Sequence, residues 1–376
     1  MILVTGATGF IGREVVRRLL TARRPVVALA RGCDGATAAE RVVAAVGGVP
    51  HGASLAVVRG DLAAFGCELA PSDWRRLRAT VETVIHCAGD TTFAPAAMAP
   101  YVAGHVDGLR ALLEGLAGGR LRRWAHLSTA YVCGRRSGTI LERDGNVGQA
   151  FNNTYERVKL ESERVLRAGG IRRGVDVRVF RPSIVVGAAP PTAGGNPSNL
   201  FFGFIRMIAA LGDWSGVREA DVDRGWPDRG AFRLRIEAAP RARFNIVPVE
   251  YVAAAVCALA EHPGGAGETF HLVVRDAPAQ AAMLRTITER LGVRGIALVD
   301  ARTEPLADAS AFERSVARML EPYRSYLTQD LTFDDATTAR LLQGGAVSRP
   351  TLSAEAVHQL IDRALVTEDA RLPAVR

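Results

Sequence analysis

The chain opens on an apolar strand pattern, Ile2–Thr5, that runs without a break into Thr5-Gly6-Ala7-Thr8-Gly9-Phe10-Ile11-Gly12. Few backbone arrangements satisfy such a run. Glycines at this spacing let the chain turn tightly, approach a pyrophosphate and pack the next helix against a sheet. The pattern Ile11–Leu20 places Ile11, Val15, Val16 and Leu19 on one helical face, and the first N–H groups of that helix then face the phosphates. Gly6, Thr8, Gly9, Phe10, Ile11 and Gly12 are therefore the expected cofactor-binding loop. A glycine triplet alone is a weak signal; its position between a strand and an amphipathic helix gives it weight.

The same alternation continues. Val26–Ala30, Leu55–Val58, Thr83–Cys87, Trp124–Ser128 and Val175–Phe180 read as strands, with helical patterns such as Leu109–Leu116 between them. Strands alternating with helices predict an α/β fold, a Rossmann doubly wound parallel sheet. A length of 376 residues leaves room for more than one domain. The expected division is a dinucleotide-binding domain over 1–183, to which 240–260 return, and a smaller, mostly helical substrate lobe over 184–376. In that lobe Gly187–Asn199 reads as a loop. The aperiodic stretch 212–230 reads as a lid or insertion, and the residues from Phe270 onward are expected to finish the lobe.

Arg31 ends the second strand, where an acidic residue would bind a ribose 2′-hydroxyl and select NAD. A guanidinium there offers charge-assisted donors to a 2′-phosphate, and Arg41 stands near enough in sequence to close on the same group. NADP(H) is the cofactor this predicts; the competing reading makes Arg31 one more surface arginine.

Composition matters at one position. Of the 47 basic residues a single one, Lys159, is lysine. It stands four residues after Tyr155 on a helical pattern, so the two share a face. A phenol has a pKa near ~10, and an adjacent ammonium is expected to stabilise its anion and make it a usable acid–base. Arginine carries the charge without the compact geometry, which gives a reason for the one lysine to be here. A partner hydroxyl is expected at the end of the fifth strand, in His126-Leu127-Ser128-Thr129-Ala130-Tyr131-Val132-Cys133-Gly134.

Other classes are excluded. The net charge of +8 is spread over arginine pairs, such as Arg17-Arg18 and Arg122-Arg123, that read as solvated surface; no basic run with interleaved aromatics marks a nucleic-acid face. Five cysteines form no CxxC pair, and seven histidines show no metal-ligand spacing, so neither a disulfide framework nor a metal site is expected. No apolar stretch is long enough to span a membrane. A strand pattern starting at Ile2 leaves no room for a leader, and a cytoplasmic protein is expected.

These motifs together, with Arg181-Pro182-Ser183, resemble those of the extended short-chain dehydrogenases/reductases. "VIHCAGDTTF" (Val84 to Phe93), "HLSTAYVCG", "FNIVPVEYVAAAV" (Phe244 to Val256) and the later Tyr323-Arg324-Ser325-Tyr326-Leu327 and Phe333-Asp334 are similar to strings of the thioester reductases and fatty acyl-CoA reductases, the male-sterility-type NAD-binding family. The resemblance implies Thr129 as the catalytic hydroxyl with Tyr155 and Lys159. It implies Asp61 and Leu62 at the adenine, Ala88 along the cofactor, and Pro182 and Ser183 on the nicotinamide side. It places Thr91, Thr92 and Phe93 toward substrate. Phe201 and Phe202, in an apolar helical patch, are either acyl-pocket wall or ordinary core.

Two positions depart from the family pattern. His105 stands where the family has an asparagine that kinks its helix and holds a relay water; it either substitutes as donor and acceptor or is a packed helix residue. Cys133 replaces the usual tyrosine and reads as a buried small residue. Cys87, near the cofactor by sequence, reads as strand-end packing, not a nucleophile. The implied activity is NADPH-dependent reduction of an acyl thioester, on CoA or on an acyl or peptidyl carrier protein, to an aldehyde or onward to an alcohol, in secondary metabolism. An extended reductase of a ketone, a hydroxysteroid-like alcohol or a nucleotide sugar carries the same triad. A non-enzymatic dinucleotide sensor has no need of the proton donor.

Overall fold

A computed structural model describes residues 1–33, 35–93, 97–187, 200–215, 233–300, 302–303 and 306–366. At its centre lie β1 (Ile2–Thr5), β2 (Val26–Ala30), β3 (Leu55–Arg59), β4 (Thr83–His86), β5 (Arg123–Leu127), β7 (Asp176–Pro182) and β11 (Thr269–Leu272), while β6 (Gly138–Ile140) stands apart. They form one sheet in the order β3-β2-β1-β4-β5-β7-β11, every pair parallel. The chain winds outward from β1 to β3, then resumes at β4 and winds the other way. A doubly wound sheet binds its ligand at such a reversal, outside the carboxyl ends of the strands; here that point lies past Thr5 and His86, which are in register.

Helices cover both faces because each carries one apolar stripe. In α1 (Phe10–Thr21) the buried residues are Gly12, Arg13, Val15, Val16, Leu19 and Leu20; this face shares a core with Val252, Ala253 and Val256 of the helix Val249–Leu259. After α2 (Ala38–Val46) and α3 (Pro71–Thr80), the segment from α4 (Met98–Val102) to α5 (Gly108–Leu116) is broken by a π-helical turn over Ala103–Asp107. Leu109, Leu112, Leu113 and Leu116 of α5 join the core of the opposite face. The long α6 (Thr154–Arg173) starts where the Asn153 side chain accepts from Glu156 N and ends at Gly174, whose φ is +63°.

The expected strands and helices lie where the periodicity put them, within two residues at each end. One expectation fails: the residues from Phe270 onward do not all belong to the second lobe. Phe270 sits in β11, the seventh strand of the main sheet, where its ring stacks on Phe180. Thr269–Leu272 is short and fully buried, too brief a pattern to separate from a core helix segment.

The second lobe is built from α7 (Leu200–Ser215), the helices Gln280–Leu291, Ala311–Leu320 and Ala354–Val366, and short parallel pairs of β8 (Ile184–Val186) with β10 (Ile246–Pro248) and β9 (Leu234–Ala238) with β12 (Ile296–Asp300). A third pair, β6 with β13 (Leu331–Phe333), lies beside the main sheet's carboxyl edge. Residues 212–215, expected to begin a lid, complete α7. The remainder of that stretch and the loop expected over Gly187–Asn199 lie, Gly187 excepted, outside the described residues.

Candidate active site

The glycine loop meets the geometry its composition demands. Gly6 has φ +67°, and a Cβ there would stand 2.6 Å from Ala88 N. A Cβ on Gly12 would stand 2.1 Å from Gly6 O, so helix and loop touch backbone to backbone. Gly9 caps α1 without a side-chain bond, and no acidic residue lies in its first turn. The result is a bare backbone cradle with a helix N-terminus on one side, which fits a pyrophosphate. Thr5 Oγ1, buried behind it, accepts from Ala88 N (3.3 Å) and lies 3.0 Å from His86 Nδ1. That fastens the ends of β1 and β4 to each other. Burial brings His86 down to about 3, so the ring stays neutral.

At the far end of the cradle Arg31 and Arg41 converge. Arg41 donates to Arg31 O at 2.6 Å, and the exposed Arg31 guanidinium stands 3.7 Å from Asp61 Oδ2. Asp61 Oδ1 accepts from Ala63 N. Leu62 turns its side chain into the core on the α5 side of the sheet, with its carbonyl against Gly108.

Lys159 is 5% exposed. Its Nζ donates to Leu127 O at 2.9 Å, two residues before Thr129, and lies 6.0 Å from the centre of the Tyr155 ring. A Cβ on Gly89 would stand 3.1 Å from that ammonium and 2.9 Å from His105 Cε1, so the three residues meet where only glycine fits. Burial lowers the Lys159 ammonium to about 8. Without a nicotinamide beside it, the phenol is pushed up by burial, reinforced by the neighbouring Glu156 carboxylate. In this setting Tyr155 holds its proton.

Thr129 and Ser128 separate cleanly. Ser128 Oγ donates to Glu163 Oε1 at 2.5 Å, and its N–H to Phe180 O; the side chain is committed beneath the site. Thr129 Oγ1 accepts from Tyr131 N at 3.3 Å, leaving its own proton to give. Glu163 is the residue the sequence reading missed. It stands one turn beyond Lys159 and takes Arg181 in a buried two-pronged pair, Nε–Oε1 3.0 Å and Nη2–Oε2 2.7 Å. Tyr155, Lys159 and Glu163 form a row at intervals of four, the signal that would have found it. The pair bolts α6 to the end of β7, where Pro182 and Ser183 follow. Ser183 Oγ donates to Asn245 Oδ1 at 2.7 Å, so its hydroxyl is turned toward the second lobe.

In the loop after β4, expected to face substrate, Asp90 Oδ1 accepts from Thr92 N and Thr92 Oγ1, while Tyr101 donates to Thr92 O. Thr91 is exposed and Phe93 half-buried, 6.1 Å from Tyr155. His105 lies in the π turn, where the family pattern puts a kink. Its Nε2 is 2.8 Å from Asp90 O and 3.1 Å from Asp90 N, and its ring meets Tyr155 edge-on. Burial lowers it to about 4, with the Lys159 charge adding to the effect. His105 is thus a neutral residue holding the substrate-side loop. Ser162 Oγ lies 2.9 Å from His105 O, serving the carbonyl at the π turn.

Phe201 is not brought to the triad. It is 1% exposed in the core of the second lobe, beside Phe244, with Phe202 half-buried against the same cluster. Cys87 and Cys133 are each pushed up to about 12 by burial, which leaves neither a ready thiolate. All five cysteines are free. Among the described residues no group of His, Cys, Asp or Glu fits a metal ion, and no helix is long and apolar enough to cross a membrane.

Known proteins resemble this chain in sequence and in fold. The sequence profile of the family described as Male sterility protein, an NAD-binding family, matches residues 4–256. The chain is 30% identical over 207 residues to peramine synthetase A of Epichloe festucae, covering 51% of this chain and 7% of that protein. It is 25% identical over 299 residues to a carboxylic acid reductase of Mycobacterium tuberculosis, covering 72% of this chain and 24% of that protein. This chain therefore spans under a quarter of either relative. In fold it is similar to the terminal R domain from the myxalamid PKS-NRPS biosynthetic pathway, with a TM-score of 0.76 at 20% identity over 96% of this chain and 89% of that one.

Proposed function

The chain belongs to the Male sterility protein family of NAD-binding proteins, and from that premise we propose that it is an NADPH-dependent reductase converting an acyl thioester to an aldehyde. The observation that carries this reading is the place of Lys159, 6.0 Å from the Tyr155 ring, anchored on Leu127 O two residues before Thr129 and touching Gly89 just past β4. The relatives lend it substance, one being a carboxylic acid reductase and another a terminal R domain. Arg31 and Arg41, side by side at the end of β2, favour the 2′-phosphate of NADP(H). We place the reaction in the cytoplasm, on an acyl group carried by CoA or by a carrier protein of a biosynthetic assembly.

Bound NADPH supplies the hydride that reduces the thioester carbonyl carbon. The protein's own part is electrostatic and protonic. Thr129 and Tyr155 donate hydrogen bonds to the carbonyl oxygen as it gains charge, where fixed donors contribute most. Tyr155 gives its proton to that oxygen as the oxygen becomes basic enough to take it. The resulting hemithioacetal breaks its C–S bond, giving aldehyde and free thiol. Lys159, anchored on Leu127 O, keeps positive charge beside the phenol and offsets the phenolate that remains. No thiol of the protein is consumed, in keeping with the protonated Cys87.

The test is to incubate the protein with NADPH and a panel of acetyl-, octanoyl- and benzoyl-CoA, the matching carrier-bound thioesters, simple ketones and UDP-glucose. Oxidation of NADPH with release of thiol supports the reading; turnover of ketones or the nucleotide sugar alone refutes it.

A further inference from the structure

The segment Tyr323–Leu327, in which Tyr326 stands 170 residues after Glu156 of the catalytic helix, takes no part in the proposed chemistry, yet it reaches the site. The Tyr326 hydroxyl donates to Glu156 Oε1 at 2.7 Å and accepts from Asn153 Nδ2 at 2.9 Å. Its ring stacks on Phe93, with centroids 5.5 Å apart and planes at 18°, and meets Tyr131 edge-on at 4.8 Å. One side chain thus touches the loop after β4, the turn that follows Thr129, and both neighbours of the Thr154–Tyr155 step at the start of α6. Glu156 is fully buried and also accepts from Asn152 N at 2.9 Å. Asn152 reaches Gln329, which donates to Gly134 O and Arg136 O. A buried carboxylate held by donors from a remote segment is a costly arrangement for packing alone.

We propose that Tyr326 is a positioning residue for Tyr155, coupling the C-terminal segment through Glu156 to the catalytic helix and through Phe93 to the substrate-side loop. The site is then complete only with this segment docked. Glu156 is the carboxylate beside the phenol. The groups facing it are Asn152, Asn153, Tyr326, Tyr131 and Cys133, with Arg135 the cation that acts on it; those facing Tyr155 are Glu156, Tyr101, His105, Lys159 and Phe93. Burial pushes the Glu156 carboxyl up while Tyr326 and Asn152 pull it back toward ionisation. Losing the Tyr326 hydroxyl leaves the Glu156 carboxylate short of a donor and frees the start of α6 to shift. Removing the carboxylate itself takes away the repulsion that adds to burial in holding the Tyr155 phenol up, so Glu156→Gln moves its titration to lower pH.

Only the kinetic arm of the test rests on the reductase reading. Tyr326→Phe keeps the ring and loses the hydroxyl; Glu156→Gln keeps the shape and loses the charge. With the acyl-CoA turned over best, each variant should lose roughly tenfold in kcat, the scale of a small misplacement of a reacting group, with NADPH Kd unchanged; disturbing the buried hydrogen bond lowers the melting temperature without unfolding the protein at the assay temperature. The second arm needs no substrate. The chain has six tyrosines, so 13Cζ-tyrosine NMR resolves Tyr155, and its resonance should titrate at lower pH in Glu156→Gln and change position in Tyr326→Phe. Wild-type kcat together with an unmoved Tyr155 resonance would overturn the proposal, as would a kcat loss matched by an equal loss of NADPH binding. If the wild-type protein reduces no thioester, the proposed function fails and the NMR arm still decides this inference.

Discussion

A single lysine among 47 basic residues is a matter of composition until its surroundings are known. Lys159 is buried, donates to Leu127 O and abuts Gly89, a volume filled by an ammonium and too small for a guanidinium. Lys159→Arg should therefore lose turnover by about a hundredfold and also be destabilised by overpacking, roughly 1–3 kcal/mol, read from kcat and urea denaturation. The shift to about 8 carries a pH consequence. Lys159 is charged below that value and neutral above it, so kcat/KM should decline as pH rises through about 8, and no limb should belong to His105, which is neutral above about 4. Between about 8 and the ordinary lysine value the unfolded chain binds a proton that the folded one does not, so this group makes stability rise with pH across that window. Arg31 belongs to the same scale. Arg31→Ala should weaken NADPH binding by ~10- to 100-fold, the worth of one charge-assisted contact, and leave NADH binding little changed; fluorescence titration of both cofactors checks it.

Elements convert these residues into a site. α6 brings Tyr155 and Lys159 to the ends of β4 and β5 because it is capped at Asn153 and bolted at Glu163. Replacing Glu163 by Ala strands the Arg181 guanidinium in the interior and should cost about 3–5 kcal/mol, seen as a lowered urea midpoint. The row Tyr155, Lys159, Glu163 was half legible in the sequence. A Tyr–Lys pair has a chemical reading, whereas a glutamate in a helix reads as solvated surface until burial is known. The π turn at Ala103–Asp107 had the odd residue His105 as its mark, but whether the ring turned outward or toward Asp90 depended on packing with Tyr101 and Tyr155. The direction of the Tyr155 shift was illegible for a related reason: spacing puts the ammonium on the right face without saying how deeply the phenol is buried or that Glu156 adds its charge.

At the scale of the whole molecule, the six strands from β1 to β7 within the sheet follow from periodicity and the glycine loop, since each is paired with its own crossover helix. The seventh, β11, comes from a part of the chain that pattern alone assigned to the second lobe; its place depends on the edge left open by β7. Arginine pairs read as surface are mostly surface. The structural arginines are single residues, Arg178 and Arg181, each 2% exposed, one holding the end of the helix Val249–Leu259 through Leu259 O and the other holding Glu163. Phe201, a candidate wall of the acyl pocket, is core, while Phe93 lies beside Tyr155 and is itself packed by Tyr323 and Tyr326 from the far end of the chain. The whole assembly converges on one proton held by Tyr155. The most direct test is a single-turnover measurement in which NADPH oxidation and thiol release from an acyl thioester are followed together in the wild type and in Tyr155→Phe. The proposed function predicts one thiol per NADPH in the wild type, and in the variant a rate lower by ~10²- to 10⁴-fold with NADPH binding intact. Thiol release at an undiminished rate without Tyr155, or NADPH oxidation with no thiol released, would contradict it.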